Sequence, residues 1–157
     1  MVEVTNLYLW GRVTFMKVDA NHREIPIDGA EFGVKYYDKK TEKWVELEGA
    51  TVTNKLNEDG SASGLYVADI PLVSREKTRY LIYEKSAPNP YVTDETMSRE
   101  VELEFREETT TDDDGKVTVT YHGNVVDITG NPMTNTEGYD LNIIKYDNTY
   151  DNAAIAD

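Results

Sequence analysis

Apolar and polar residues alternate along most of the 157-residue chain, and this period-two pattern is the feature that most constrains the fold. Successive side chains of a strand point to opposite faces, so the alternation predicts strands with one buried face. Turn signals such as Asp28-Gly29, Asn89-Pro90 and Asp114-Gly115 separate the alternating segments. No long stretch keeps helical spacing. Short strands with frequent turns predict an all-β fold, either a β-sandwich or a barrel.

Composition excludes several classes of function. The formal net charge of −14 argues against nucleic acid and anionic membranes as partners, because both carry negative charge. The chain has no cysteine, which excludes disulfides, thiol catalysis and cysteine-ligated zinc. It has no apolar run of about 20 residues, the length that a membrane-spanning helix needs. We expect no metal site and no cofactor.

One lysine departs from the alternating pattern. Lys17 lies in phase with Val13 and Phe15, so its side chain is predicted to point into the apolar core. A buried charge is costly unless it is paired, so this lysine needs a partner or a chemical role.

The unusual lysine occurs twice. The Lys-x-Asp motif at 17–19 returns at 145–147, and an isoleucine follows each lysine by ten positions, at Ile27 and Ile155. Repeats of this kind indicate a tandem array of similar units. We therefore interpret residues 9–135 as one complete module.

The flanking segments follow from the same repeat. Residues 1–8 are predicted to be the end of a preceding module or a linker. Residues 136–157 are predicted to be a linker and the first strand of a truncated following module. An unpaired strand exposes backbone groups, so we expect this segment to lie against a sheet edge. Lys145 would be unreacted, since its own partners are missing.

Three segments together resemble a CnaB-type domain, the B-repeat domain of collagen adhesins and pilins on Gram-positive surfaces. They are the Lys-Val-Asp motif at 17–19, the block at 27–32 with Gly-Ala-Glu-Phe, and the block at 80–91 with Glu-x-x-Ala-Pro-x-x-Tyr. The resemblance covers most of residues 11–131. It implies an Ig-like, prealbumin-like β-sandwich with an autocatalytic isopeptide bond between a lysine and an Asn or Asp.

Carried over by position, the resemblance implies that Lys17 is the nucleophile and Glu84 the catalytic acid. Glu84 lies in phase with Tyr80 and Ile82, so it is also predicted to face the interior. Burial favours the neutral forms of amines and carboxylic acids. A neutral amine attacks a carbonyl carbon, and a protonated carboxyl shuttles protons to the leaving group.

Three residues remain candidates for the acceptor. Asn131 is the first choice, because its Asn-Pro sequence resembles the end of the last strand in the family. Asp127 is the second, since it lies in phase with Val125 in a Val-Asp context. Asn135 is the third, because it precedes Lys145 by ten residues, a spacing close to that between Asn6 and Lys17. Gly130 puts Asn131 out of phase with the preceding strand unless a bulge intervenes.

The expected function is that of a structural stalk module in a multidomain adhesin or pilin, extracellular and anchored to a Gram-positive cell wall. Its partners would be neighbouring modules of the same polypeptide, and we expect a monomer. The alternative is a module that binds a host matrix protein or glycan through loops, for which 66–79 and 105–118 are candidates. No motif predicts an enzyme acting on an external substrate.

Overall fold

The structure, a computed structural model, describes residues 2–5 and 9–138. Within these ranges the chain forms twelve strands and no helix, and hence no membrane-spanning helix. The strands are β1 (Val2–Thr5), β2 (Trp10–Asp19), β3 (Glu31–Asp38), β4 (Lys43–Glu46), β5 (Thr51–Leu56), β6 (Ala62–Pro71), β7 (Thr78–Ser86), β8 (Ser98–Leu103), β9 (Phe105–Thr111), β10 (Val117–Gly123), β11 (Val125–Asp127) and β12 (Met133–Asn135).

These strands form three sheets. Sheet I has the order β11-β2-β6-β5, and β12 also pairs with β2. Sheet II has the order β4-β3-β7-β8. Sheet III has the order β1-β10-β9, in which β1 pairs parallel with β10. Residues 2–5, predicted to end a preceding module or linker, are therefore paired with this module.

Sheets I and II enclose the core. Strands β6 and β7 alternate regularly between buried and partly exposed residues, as their sequences predict. The buried apolar cluster draws on both sheets and consists of Val13, Phe15, Val34, Tyr66, Ala68, Ile70, Tyr80, Ile82, Val101, Leu103 and Met133. Truncating a buried aromatic residue of this kind to alanine typically costs about 3–5 kcal/mol. The predicted all-β, Ig-like sandwich is confirmed.

Strands β11 and β12 both pair with β2, and they do so at successive positions along it. In β11, Asp127 pairs with Thr14, and in β12, Met133 pairs with Lys17, both in parallel register. Two residues of β2 thus separate the two pairings, whereas the five residues 128–132 connect them on the other side. Because 128–132 is longer than the matching part of β2, these residues form a loop between the two pairings.

Two segments that were predicted to be loops consist largely of strands. Residues 66–71 are the second half of β6, and 105–111 are β9, which pairs with β10 in a hairpin. Only 72–77 and 112–116 remain as connections. The backbone groups of 66–71 and 105–111 form hydrogen bonds with neighbouring strands. The prediction that 66–79 and 105–118 are loops was therefore wrong for most of their length.

The second copy of the Lys-x-Asp motif at 145–147 and Ile155 lie outside the described residues. So do Asn6 and most of the segment 136–157, whose packing stays a prediction. The boundaries of the 9–135 module also stay a prediction.

Candidate functional site

Lys17 lies on the inner face of β2 with its side chain fully buried. Phe15, Phe32 and Tyr66 form an aromatic cluster in the same region, with ring centroids 4.9–5.4 Å apart. The Lys17 Nζ atom lies 5.8 Å from the centroid of the Phe32 ring. The amine is therefore shielded from water by apolar groups.

Glu84 reaches the same place from the opposite sheet. It follows Tyr80 and Ile82 on the inner face of β7, and its side chain is also fully buried. Lys17 Nζ contacts Oε1 of Glu84 and donates a second hydrogen bond to the carbonyl oxygen of Thr134, at 3.2 Å. The strand phase of both residues thus predicted their burial.

The environment of Lys17 favours its neutral form. Burial lowers the pKa of Lys17, and this effect outweighs the opposing effects of the hydrogen bond and the charge of Glu84. Desolvation of a lysine in an apolar environment is one of the ways in which proteins activate an amine as a nucleophile.

Asn135 completes the cluster. It lies on β12, and only 3% of its surface is exposed. Its Nδ2 donates hydrogen bonds to Oε2 of Glu84 at 2.9 Å and to the carbonyl oxygen of Val92 at 3.0 Å. Its Oδ1 is buried and has no hydrogen-bond partner among the described residues. An unsatisfied buried oxygen is rare in proteins and costs about 1–3 kcal/mol.

The three candidate acceptors predicted from the sequence differ in burial and in their contact with Glu84. Asn131 lies in the exposed loop between β11 and β12, and its carbonyl oxygen accepts a hydrogen bond from Arg99 at 3.0 Å. Asp127 is also exposed and accepts the amide hydrogen of Thr129. Of the three, the structure brings Asn135 to Glu84. Asn131, the first choice from the sequence, lies in the exposed loop 128–132 and not beside Glu84, and the choice of acceptor stays a prediction.

Residues that the sequence analysis did not assign also contact the site. The connection 87–97, between β7 and β8, supplies the Asp94 amide, which donates to Oε2 of Glu84 at 2.7 Å. The same connection supplies the Val92 carbonyl that holds Asn135. Backbone contacts of this kind leave no signal in residue type, so sequence reasoning had no means of finding them.

A cavity of about 380 Å³ lies beside the cluster. Its lining comes from the 87–97 connection and from β12, and comprises Val92, Thr93, Asp94, Glu95, Met97, Thr134, Asn135 and Thr136. The cavity reaches Asn135 and opens toward the surface.

The arrangement brings together the groups that amide formation requires. It places an amine, a carboxyl and a carboxamide together in a dry interior, with the carboxyl in contact with both of the others. Fixing reactants in this way supplies effective concentrations far above those available in solution. Among the described residues, no group of three or more His, Asp and Glu is arranged to hold a metal ion.

The fold and the site define a β-sandwich with a buried Lys-Glu-Asn cluster between its sheets. No protein-family model matches the chain, and no curated protein matches it. Among solved structures, it is similar to the major pilin subunit of Bacillus cereus, with 22% sequence identity and a TM-score of 0.44. The match covers 82% of this chain and 29% of the pilin chain, so the chain spans less than a third of that subunit.

Proposed function

We propose that this chain is a structural module of a multidomain Gram-positive surface protein, an adhesin or pilin stalk, cross-linked by an autocatalytic isopeptide bond between Lys17 and Asn135. The observation that carries the proposal is that Lys17 and Asn135 contact the two oxygens of one fully buried carboxylate, Glu84. The module acts on no external substrate; its chemistry is a single internal event.

The first step is a proton transfer within the Lys17–Glu84 pair. Moving one proton from Nζ to Oε1 converts an ion pair into a neutral amine and a neutral carboxylic acid. Because two charges in an apolar interior carry a large desolvation penalty, burial favours the neutral pair. The contact between Nζ and Oε1 provides the path for the proton.

The second step joins Nζ of Lys17 to Cγ of Asn135. The bond between Cγ and Nδ2 breaks, the neutral amine gives up one proton, and Nδ2 gains one proton and leaves as ammonia. Glu84 takes up a proton from Nζ and gives one to Nδ2, which already lies 2.9 Å from Oε2. The cavity beside Asn135 offers the ammonia a route to solvent. One amide replaces another, and Glu84 ends the reaction as the carboxylic acid that the first step produced.

The bond would join the second strand to the last. β12 pairs in parallel with β2, so the cross-link would lock these two neighbours side by side. Force applied between the chain ends would pass through a covalent bond instead of the hydrogen bonds of the sheet. This arrangement suits a stalk under tension, and it gives a cysteine-free extracellular protein a covalent reinforcement.

Tandem mass spectrometry of the digested chain tests the assignment. Trypsin should yield one branched peptide that contains residues 13–23 and 117–145, because a cross-linked Lys17 is no longer cleaved. All three candidate acceptors lie in 117–145, but backbone fragmentation between Asn131 and Pro132 separates Asn135 from the other two. The branch is expected on the fragment that begins at Pro132. A branch on the other fragment, or separate unlinked peptides, would contradict the proposal.

A second candidate function, binding of an acidic host ligand, is favoured by a cavity of about 520 Å³ at one end of sheet II. Three lysines, Lys39, Lys40 and Lys77, line it together with Asp38 and Glu76, so its lining has one more positive than negative group, although the chain as a whole is strongly acidic. None of the three forms an ion pair with another described residue. Calorimetric titration with heparin, a sulfated glycan, tests this function. Binding that Lys77→Glu weakens would support it, and no heat of binding would exclude it.

A further inference from the structure

The connection 87–97 holds two of the reacting groups. Through the Asp94 amide it fixes Oε2 of Glu84, and through the Val92 carbonyl it fixes Nδ2 of Asn135. Its position therefore sets the relative orientation of the carboxyl and the carboxamide. The contacts that hold this connection against β2, the strand of Lys17, therefore affect the reaction.

A single side-chain hydrogen bond joins the connection to β2. The Tyr91 hydroxyl donates to Oδ2 of Asp19 at 2.9 Å. Asp19 lies two residues beyond Lys17 on the same inner face, and only 3% of its surface is exposed. Hydrogen bonds to ionised acceptors are about twice as strong as neutral ones.

Asp19 is itself held rigidly. Its other oxygen, Oδ1, accepts the amide hydrogens of Asn21 at 2.8 Å and His22 at 3.0 Å. The Ala20 amide, adjacent to Asp19, donates to the carbonyl oxygen of Asn135 at 2.8 Å. Asp19 therefore sits at a fixed point between the nucleophile strand and the acceptor strand.

The other side of the connection is bonded to the chain that follows Asn135. The Val92 amide donates to the carbonyl oxygen of Thr136 at 3.0 Å, and the Gly138 amide donates to that of Pro90 at 2.9 Å. The connection is therefore bonded to the chain that follows β12, which itself pairs with β2, and the Tyr91–Asp19 bond adds a direct side-chain link from the connection to β2.

We infer that Tyr91 and Asp19 are positioning residues for the isopeptide reaction: their hydrogen bond holds the 87–97 connection so that Glu84 and Asn135 meet Lys17. This inference rests on the proposed function. Removing the Tyr91 hydroxyl leaves its ring in place but removes the direct side-chain link between the connection and β2. Rates of amide formation between fixed groups fall steeply with small displacements.

The test measures the rate of bond formation in the full chain. Chains made by pulse-labelled cell-free translation are allowed to fold, quenched in denaturant at intervals and weighed by mass spectrometry. Tyr91→Phe and Asp19→Asn are each expected to slow the loss of ammonia roughly tenfold, the usual effect of one hydrogen bond to a charged group. The double variant should be no slower than the slower single variant, since both remove the same hydrogen bond from the Tyr91 hydroxyl to a charged carboxylate.

Tyr80→Phe is the matched control. Its hydroxyl accepts the Val73 amide at 3.0 Å and is not bonded to the cluster. Unfolding free energies of all these variants are measured in a Lys17→Met background, where no bond forms. Tyr80→Phe should react at the wild-type rate even where its loss of stability equals that of Tyr91→Phe.

Two results overturn the inference. The first is a Tyr91→Phe rate equal to that of Tyr80→Phe, and the second is additive effects of the two single variants. If the wild-type chain loses ammonia in either case, the proposed function survives and only the positioning role fails. If the wild-type chain loses no ammonia, both fall together.

Discussion

Lys17 and Glu84 are in side-chain contact although their strands belong to opposite sheets of the sandwich. Both side chains are fully buried. A buried ion pair costs several kcal/mol in desolvation for each ion, and its attraction only partly offsets that cost. Such a pair is therefore poorly explained as a device for stability. It is well explained as an amine and a carboxyl that exchange a proton before a reaction.

Replacement of either member of the pair should prevent the cross-link. Lys17→Met removes the nucleophile and keeps most of the side-chain volume, and Glu84→Gln removes the proton shuttle. Both variants are expected to have the full mass calculated from their sequences, as measured by intact mass spectrometry. Residual loss of ammonia in Glu84→Gln should be slower by a factor of about 10² or more, the usual contribution of general acid–base catalysis.

Lys35→Met provides the control for the lysine variant. Lys35 lies partly exposed on β3, with its Nζ 4.8 Å from the centroid of the Tyr83 ring. This variant should keep the loss of mass. The account would be contradicted if Lys17→Met still lost about 17 Da, the mass of one ammonia.

The acceptor is tested by three substitutions at the competing positions. Asn135→Ala should abolish the loss of mass, whereas Asn131→Ala and Asp127→Ala should retain it in full, because both of these residues are exposed. Asn135→Asp should lose about 18 Da, since water then leaves in place of ammonia. Retention of the loss in Asn135→Ala would show that another residue accepts the bond.

The stability of the unreacted chain should depend on pH through Lys17. In Asn135→Ala, Lys17 remains a free amine whose pKa is lowered from 10.5 by burial. Between that lowered pKa and 10.5, the unfolded chain binds a proton that the folded chain does not. The unfolding free energy of Asn135→Ala should therefore rise as the pH increases toward 10.

The matched control for this pH effect is Asn135→Ala combined with Lys17→Met, which should lack the rise. Burial raises the pKa values of Tyr66, Tyr83 and Tyr91 to about 12, so these residues lower stability as the pH rises above 10. Their contribution cancels in the comparison. Denaturant unfolding between pH 7 and pH 10 provides the measurement, and identical slopes for the two variants would contradict a neutral Lys17.

The bond itself should stabilise the module. It closes a loop of roughly 120 residues, for which loop-closure entropy predicts about 5 kcal/mol by analogy with a disulfide. A double-mutant cycle of Lys17→Met and Asn135→Ala, followed by guanidinium unfolding, isolates this contribution from the loss of packing. A coupling energy below about 1 kcal/mol would be inconsistent with a covalent link in the wild-type chain.

The sequence predicted the buried pair because strand phase is a local property. Lys17 follows Val13 and Phe15 at even spacing, and Glu84 follows Tyr80 and Ile82 in the same way. Each assignment needs only one strand, and each strand forms where its alternation indicates. The sandwich was predictable for the same reason, since each alternating strand buries one face.

The position of Asn135 beside Glu84 was not predictable in this way, because it depends on pairing between distant strands. β12 has three residues, too few to show a period, and the loop at 128–132 shifts its register against β2. Asn135 does lie in phase with Met133, which is buried. That phase, with the spacing of ten residues to Lys145, was the signal available in the sequence. The Asn-Pro pair at 131–132 marks a turn between the two short strands.

A covalent bond between Lys17 and Asn135 is the reaction product that we propose. Intact mass spectrometry of the purified, denatured wild-type chain tests it most directly. The account predicts a mass about 17 Da below the value calculated from the sequence, with no loss in Lys17→Met or Asn135→Ala. A wild-type mass equal to the calculated value would contradict the account.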